Sequence, residues 1–538
     1  MLSEIFFQLT PVKKGTPRLV FLYFLFCAIA FFLYRHCVHT HFLDDSFSAF
    51  YYYKLQGAKG FLKSFDFPSL YYGHDLFYFG FYFLFGLNDL AWHILFVLLY
   101  CLNTLLIFKV AESALSKLNF INSTAAAFIT CLFFLVSPYQ TENMIWVATM
   151  HYQIAMLCLF TGLWLIIENK ASLIWMHLFF ALSLLTLEIT FVFPAIWTIT
   201  FFVFRKSVSE AIKKIIAPQL LIIIFYFASM KLIKGFFMPH YGVEHLEGWS
   251  PVVIFSTLLK YFFKLFGFVH FMEYTVREKV YAWCDDLKHV FWVWGTVIAS
   301  LSFLAIATRF KREAKLVIVL LLFAFIVLLP VLNMYFMFLS SVENDRLSFF
   351  ATPFLYLTAA FLITRFPAYI YLPVSVGILL LMKKFLGLYT WYWINAAEVQ
   401  QRTLDSYRWF DKEKVYMLNL PQNFNGAYIY RKGWRLGSAM LVKNDKNILK
   451  QIETVAGQNM FDIKDGVVVA KLDSVSYKVD INGWGWFWRG PLGAYDYETK
   501  DFVFKLNNKS YTVRFKHPLK ENEVVVYQNG GNWEEAAK

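Results

Sequence analysis

Apolar runs of about twenty residues recur along this chain, each long enough to cross the hydrocarbon of a bilayer as one helix. The first starts at Leu19, after the polar and basic segment MLSEIFFQLTPVKKGTPR. It is too long for the central region of a signal peptide, and no small-residue cleavage site follows it, so it reads as a retained first span. Charged residues make up only 16% of the 538 residues, against about a quarter in soluble proteins, and hydrophobic residues make up 59%. The expected fold class is a mainly α-helical polytopic membrane protein. A formal net charge of +13 would suit a nucleic-acid binder. In short loops between spans, however, basic residues set topology instead, so the expected partners include membrane lipids and no nucleic acid. The six cysteines show no CxxC spacing, and most lie inside apolar runs, where cysteine behaves as a small hydrophobe.

With the N-terminus in the cytoplasm because of Lys13, Lys14 and Arg18, spans are expected near 18–37, 88–109, 121–137, 143–167, 172–187, 190–204, 213–233, 290–308, 315–338, 347–364 and 367–388. The basic residues then alternate as topology requires. The inner loops hold Lys109 and Lys117, then Lys170, then Arg205, Lys206, Lys213 and Lys214, then Arg309, Lys311, Arg312 and Lys315, then Arg365, while the outer loops 138–142 and 188–189 hold none. The stretch Ser250–Phe271 is long enough to span, but as a span it would place RFKREAK outside. With Lys260 and Lys264 one turn apart, it reads as an amphipathic or re-entrant helix at the outer surface, its lysines facing anionic headgroups or adding to a phosphate site. That leaves about eleven spans and an external C-terminus.

From about Trp391 the apolar runs shorten and mixed charges become frequent. GVVVAKLDSVSYKVDI and FVFKLNNKSYTVRF alternate with strand periodicity; Phe502, Phe504 and Leu506 share one face, and Asn507-Asn508 suits a hairpin turn. The chain is thus expected to divide into a membrane domain, 1–388, with a long first external loop at 38–87, and a soluble α+β, strand-rich domain, 389–538.

In this topology Asp44, Asp45, His74, Asp75, Glu142, His151, Glu188, Glu343, Asp345 and Arg346 all fall at outer ends of spans. Each has a structural reading. Asp44 or Asp45 can cap the helix SFSAFYYYKLQ, Glu142 can cap a helix starting near Asn143, Asp345 and Arg346 can snorkel as a pair, and His93 suits a hydrogen-bonded interior position. A cap needs only one acid, and so many ionisable groups at one membrane surface point to a site.

An acidic pair in a long first external loop, many spans and an external C-terminal domain resemble the GT-C class of membrane glycosyltransferases. FGLNDLAWHILFVLLYCLNTLL (Phe85–Leu106) is similar to the second span of its protein O-mannosyltransferase-like members. SPYQTENMIWVATMHYQIAML (Ser137–Leu157) resembles their outer turn, with Ser137 in place of a histidine. ENDRLSFFATPFLYL (Glu343–Leu357) resembles their Glu-Arg stretch, with two residues between Glu343 and Arg346. NLPQNFNGAYIYRKGW (Asn419–Trp434) has the look of a segment that recurs beyond the membrane part of some bacterial members, with no role attached. The resemblance implies inverting transfer of a sugar from a polyprenyl-phosphate donor to a hydroxyl of a protein, lipid or glycan, at the periplasmic face of a bacterial inner membrane. It implies Asp44 or Asp45 as base and Arg346 on the donor phosphate, with Glu142, His74, Asp75, His151 and Glu343 placing substrate. Two acids beside a phosphate can also bind Mg²⁺ or Mn²⁺, although the reading taken is without a resident metal. A lipid-linked glycan polymerase or ligase, a transporter or flippase, and a sensor or scaffold are the alternatives.

Overall fold

A computed structural model describes residues 16–38, 40–57, 59, 70–169, 173–205, 207–235, 250–307, 312–333, 344–489 and 494–536. Lys13, Lys14, Lys170, Lys206, Arg309, Lys311 and Glu343 lie outside the described residues.

The chain is an integral membrane protein built around a helical bundle. Among the described residues, seven helices are long and apolar enough to cross a membrane, or eight if Ser123–Val136 and Pro138–Ile145, bent by 64°, count as one span. Of the other expected spans, 290–308 falls on the helix Leu287–Ala307, of 21 residues, and 172–187 and 347–364 fall on two shorter helices. Ile174–Thr186 and Thr352–Ile363 are apolar but only 13 and 12 residues long. At about 1.5 Å per residue, neither covers a hydrocarbon core of about 30 Å. Both are flanked by buried 3₁₀ turns: Glu188–Val192 after the first and Asp345–Ser348 before the second. Turns of this kind place polar backbone and acids inside protein, where they can find partners.

The segment Pro251–Gly267 is helical and amphipathic, but its lysines do not face headgroups. Lys264 is fully buried and paired with Asp345, also fully buried; Lys260 is 8% exposed and sits 2.6 Å from Asp285. Lys264 points inward to a buried acid, whereas Lys260 reaches an acid whose side chain is exposed.

The composition change near Trp391 falls within a single helix, Ala368–Asp405, of 38 residues. At about 57 Å it outruns the membrane, and its far end is a splint for the strands. Trp533 Nε1 donates to the Thr403 carbonyl at 3.0 Å, and the Tyr430 hydroxyl to that of Gln400 at 3.4 Å. Three small sheets follow. In one, Lys414–Met417 lies parallel to both Glu523–Asn529 and Ile452–Thr454. A five-stranded antiparallel sheet holds Gly466–Lys471, Ser476–Asn482, Ser510–Phe515, Phe502–Asn507 and Tyr497–Glu498. A third holds Leu420–Phe424 parallel to Gly457–Met460. Phe502 and Phe504 are buried as their alternation requires, but Asn507 pairs with Ser510, so the hairpin turn is Asn508-Lys509, with Asn508 at φ 55°.

One apolar core runs without a break from bundle residues such as Phe26 and Phe134 to Val415, Met460 and Trp533 among the strands. A second, around Tyr477, Phe504 and Phe515, fills the outer sheet. The shared core seats the strand-bearing region on the end of the bundle where the acids lie.

Candidate active site

Asp44 and Asp45 stand where the first span gives way to the helix Ser46–Gln56. Asp44 has φ 38°, a left-handed conformation that Asp tolerates better than most residues. Asp45 occupies the N-cap position but makes no side-chain cap bond. The capping reading therefore fails for both acids, whose carboxylates are taken by arginines. The Arg431 backbone N–H donates to Asp44 Oδ1 at 3.0 Å and its Nε to Asp44 Oδ2 at 2.5 Å. Terminal nitrogens of Arg431 and Arg435 each contact one oxygen of Asp45.

Arg431 lies just before the helix Gly433–Asn444, and Arg435 lies in its first turn. At the far ends of the two helices, Lys54 donates to the Val442 carbonyl at 2.8 Å and pairs with Asp445 at 2.6 Å. The two helices therefore lie side by side with both N-termini at the acids, an orientation whose dipoles favour carboxylates. Asp44 is fully buried, whereas the Asp45 side chain is 26% exposed. Burial alone would raise the Asp45 carboxyl, but the charges of Arg431, Arg435 and Arg346 outweigh it and hold it at about 2.

The second pair comes from the turns. Glu142, in the short helix Thr141–Ile145, accepts the Arg346 backbone N–H at 2.7 Å and also takes its guanidinium. It caps no helix. Asn344, at φ 63°, turns the chain so that Asp345 and Arg346 leave in different directions, one to Lys264 and the other to Glu142. They are a buried junction and not a snorkelling pair. Burial pushes the Asp345 carboxyl up to about 7, against the pull of Lys264.

Trp146 joins the two pairs. Arg346 lies 5.3 Å and Arg431 5.6 Å from its ring centroid, and its Nε1 donates at 3.2 Å to the carbonyl of Leu43, the residue before Asp44. Arg431 also stacks on Tyr428 at 4.5 Å. Cations on aromatic faces keep their terminal nitrogens directed sideways, toward oxygen acceptors. His74, Asp75 and His151 form an adjoining cluster: His74 Nδ1 is 3.2 Å from Asp75, and the two imidazoles pack with centroids 5.0 Å apart. Glu188 is buried on its own turn, in the field of Tyr226. His93 has the interior role expected, 2.9 Å from the Thr40 carbonyl.

The site thus brings together Asp44, Asp45, Glu142 and Arg346, with His74, Asp75 and His151 alongside. Sequence reasoning missed Arg431, Arg435 and Trp146. Their signal was the segment Asn419–Trp434, set apart but given no role, and two arginines one helical turn apart beyond it. Among the described residues no three His, Cys, Asp or Glu side chains gather as metal ligands, and arginines occupy the carboxylates of Asp44 and Asp45.

Arg18, Lys117 and Arg365, among the described basic residues of the connecting loops, lie at the opposite end of the bundle. Arg18 pairs with Glu112 at 2.9 Å, Lys117 with Glu168 at 3.4 Å and Arg365 with Glu313 at 2.7 Å.

No family model and no curated protein matches the chain. Among solved structures, that of ArnT from Cupriavidus metallidurans bound to undecaprenyl phosphate is similar with 13% identity over 84% of this chain and 96% of that chain, at a TM-score of 0.35. The apo form of the same protein is similar with 13% identity over 81% of this chain and 92% of that one, at a TM-score of 0.32.

Proposed function

We propose that this protein is a membrane glycosyltransferase that moves a sugar from a polyprenyl-phosphate donor to a hydroxyl acceptor on the non-cytoplasmic side, with inversion. The observation that carries the reading is the convergence of two acids and three arginines, two of the arginines lying on one indole, at the end of the bundle away from the basic loops. By the rule that cytoplasmic loops are rich in Lys and Arg, the loop end is cytoplasmic and the site faces out. The resemblance of the acidic first loop, the outer turn and the Arg346 stretch to GT-C enzymes points the same way.

The reaction needs two things that this cluster can supply. A carboxylate takes the proton of the acceptor hydroxyl as its oxygen attacks the anomeric carbon, contributing about 10²–10⁴ in rate. The bond from that carbon to the phosphate oxygen breaks, and the electron pair leaves on the lipid phosphate, whose added charge an arginine fork stabilises. Asp45 is assigned as the base. It is the more accessible of the two acids and is held only by side-chain nitrogens. Asp44, fully buried and bound to the Arg431 backbone N–H, is assigned as the anchor of the arginine segment. Arg346, oriented by Glu142, faces the phosphate. The acceptor meets the strand-bearing domain, which lies over the site.

Purified protein incubated with labelled polyprenyl-phosphate sugars and candidate acceptors tests this reading. Release of polyprenyl phosphate together with a glycosylated acceptor is expected. Movement of intact lipid across a bilayer would point to a flippase, and neither outcome would leave a scaffold.

A further inference from the structure

Each of these acids is met by a cation: Asp44 by Arg431, Asp45 by Arg431 and Arg435, Glu142 by Arg346 and Asp345 by Lys264. A base whose oxygens are already held by two guanidinium groups cannot accept a proton well, and a lipid phosphate entering the cluster needs cations of its own. Both difficulties vanish if the same arginines serve both anions in turn. We propose that Arg431 and Arg435, from the strand-bearing domain, are donor-phosphate ligands that exchange partners, leaving Asp45 for the phosphate and so freeing the base only when a donor is bound. This rests on the glycosyltransferase reading above and assigns the phosphate site to a second part of the chain.

The geometry suits an exchange. Arg431 is held in place without its terminal nitrogens: its backbone N–H stays on Asp44, and its guanidinium plane lies on Tyr428 and 5.6 Å from Trp146. Arg435 stacks on Trp434 at 3.8 Å. The side-chain ends can therefore turn while the segment stays docked. Arg346 sits on the same Trp146, so a phosphate accepted by Arg431 is also within the field of Arg346. Arginine's planar fork matches phosphate oxygens two at a time, whereas its contacts with Asp45 use one terminal nitrogen from each residue. The water-exposed part of Asp45 marks the opening by which a headgroup reaches them.

Binding of undecaprenyl phosphate, with undecaprenol as the neutral control, to the full-length protein in nanodiscs tests the exchange. Wild type is expected to prefer the phosphate. Arg431→Ala and Arg435→Ala are expected to weaken phosphate binding by at least about tenfold, with undecaprenol binding unchanged. Asp45→Asn removes the competing charge and is expected to tighten phosphate binding by about tenfold even as turnover falls, a split that a merely structural role would not give. Should the alanine variants fail to fold, Arg431→Lys and Arg435→Lys keep the cation but lose the fork, and are expected to lose several-fold in affinity. Unchanged binding in the arginine variants with loss in Arg346→Ala, or unchanged or weaker binding in Asp45→Asn, would overturn the exchange alone. Equal binding of phosphate and alcohol by wild type would overturn the donor reading beneath it.

Discussion

Arg431 binds Asp44 twice, through its backbone N–H at 3.0 Å and its Nε at 2.5 Å, although the two residues lie 387 positions apart in the chain. This contact seats the strand-bearing domain on the acids at the mouth of the bundle and makes the two halves of the molecule one site.

The two acids should separate by function. Asp45→Asn is expected to lower kcat by about 10²–10⁴ with the domain still docked. Asp44→Asn is expected to loosen the docking, seen as faster hydrogen exchange across Gly433–Asn444. Faster exchange in Asp45→Asn than in Asp44→Asn would reverse the assignment of anchor and base, and equal exchange would remove it.

Much of the bundle was legible because span length and loop charge are local properties. Asp44, Asp45, Glu142 and Arg346 were legible as polar residues set among apolar ones. Their partners were not. Arg431 and Arg435 look like ordinary surface charges of a soluble domain until the fold brings them across the sequence to the acids. Lys260 and Lys264 show the reverse error. Their spacing describes a helix stripe correctly but cannot say what lies opposite, and buried Asp345 on a 3₁₀ turn has no periodic signal. Two of the expected spans fall on short helices beside such turns, where apolar composition continues although the helix does not.

Asp345 gives a pH dependence of defined sign. Its carboxyl lies at about 7 in the folded protein against an ordinary 3.8, so the folded state holds the proton more tightly. Stability from this group is full below about 4 and falls as pH rises toward 7, with a limiting slope of about 1.4 kcal/mol per pH unit. Melting of the detergent-solubilised wild type should show this fall. Asp345→Asn should be flat over the same window.

Glu142 and Arg346 should be strongly coupled. Glu142→Gln leaves a buried guanidinium without its counter-charge and is expected to cost about 3–5 kcal/mol. The double variant Glu142→Gln/Arg346→Met should recover part of that stability without recovering donor use. Additive losses in a thermal double-mutant cycle would show that the pair does not act as a unit.

Trp146 should act through its face. Trp146→Phe keeps a ring beneath Arg346 and Arg431 but loses the bond to Leu43, and a several-fold rise in donor KM is expected. Trp146→Ala removes both stacking contacts, each worth about 0.5–2 kcal/mol, and should cost at least tenfold in kcat/KM. The two variants compared in one steady-state assay distinguish stacking from simple space-filling, under which both would lose activity equally.

The proposed activity stands most directly on whether this cluster of acids and arginines cleaves a sugar from a lipid phosphate. The decisive measurement follows undecaprenyl phosphate released from a panel of labelled undecaprenyl-phosphate sugars by protein in nanodiscs, with candidate acceptors and with the Asp44→Asn/Asp45→Asn double variant as control. Release by wild type, an acceptor product of inverted anomeric configuration and no release by the double variant are predicted. Equal release by wild type and double variant, or transport of intact donor without release, would contradict it.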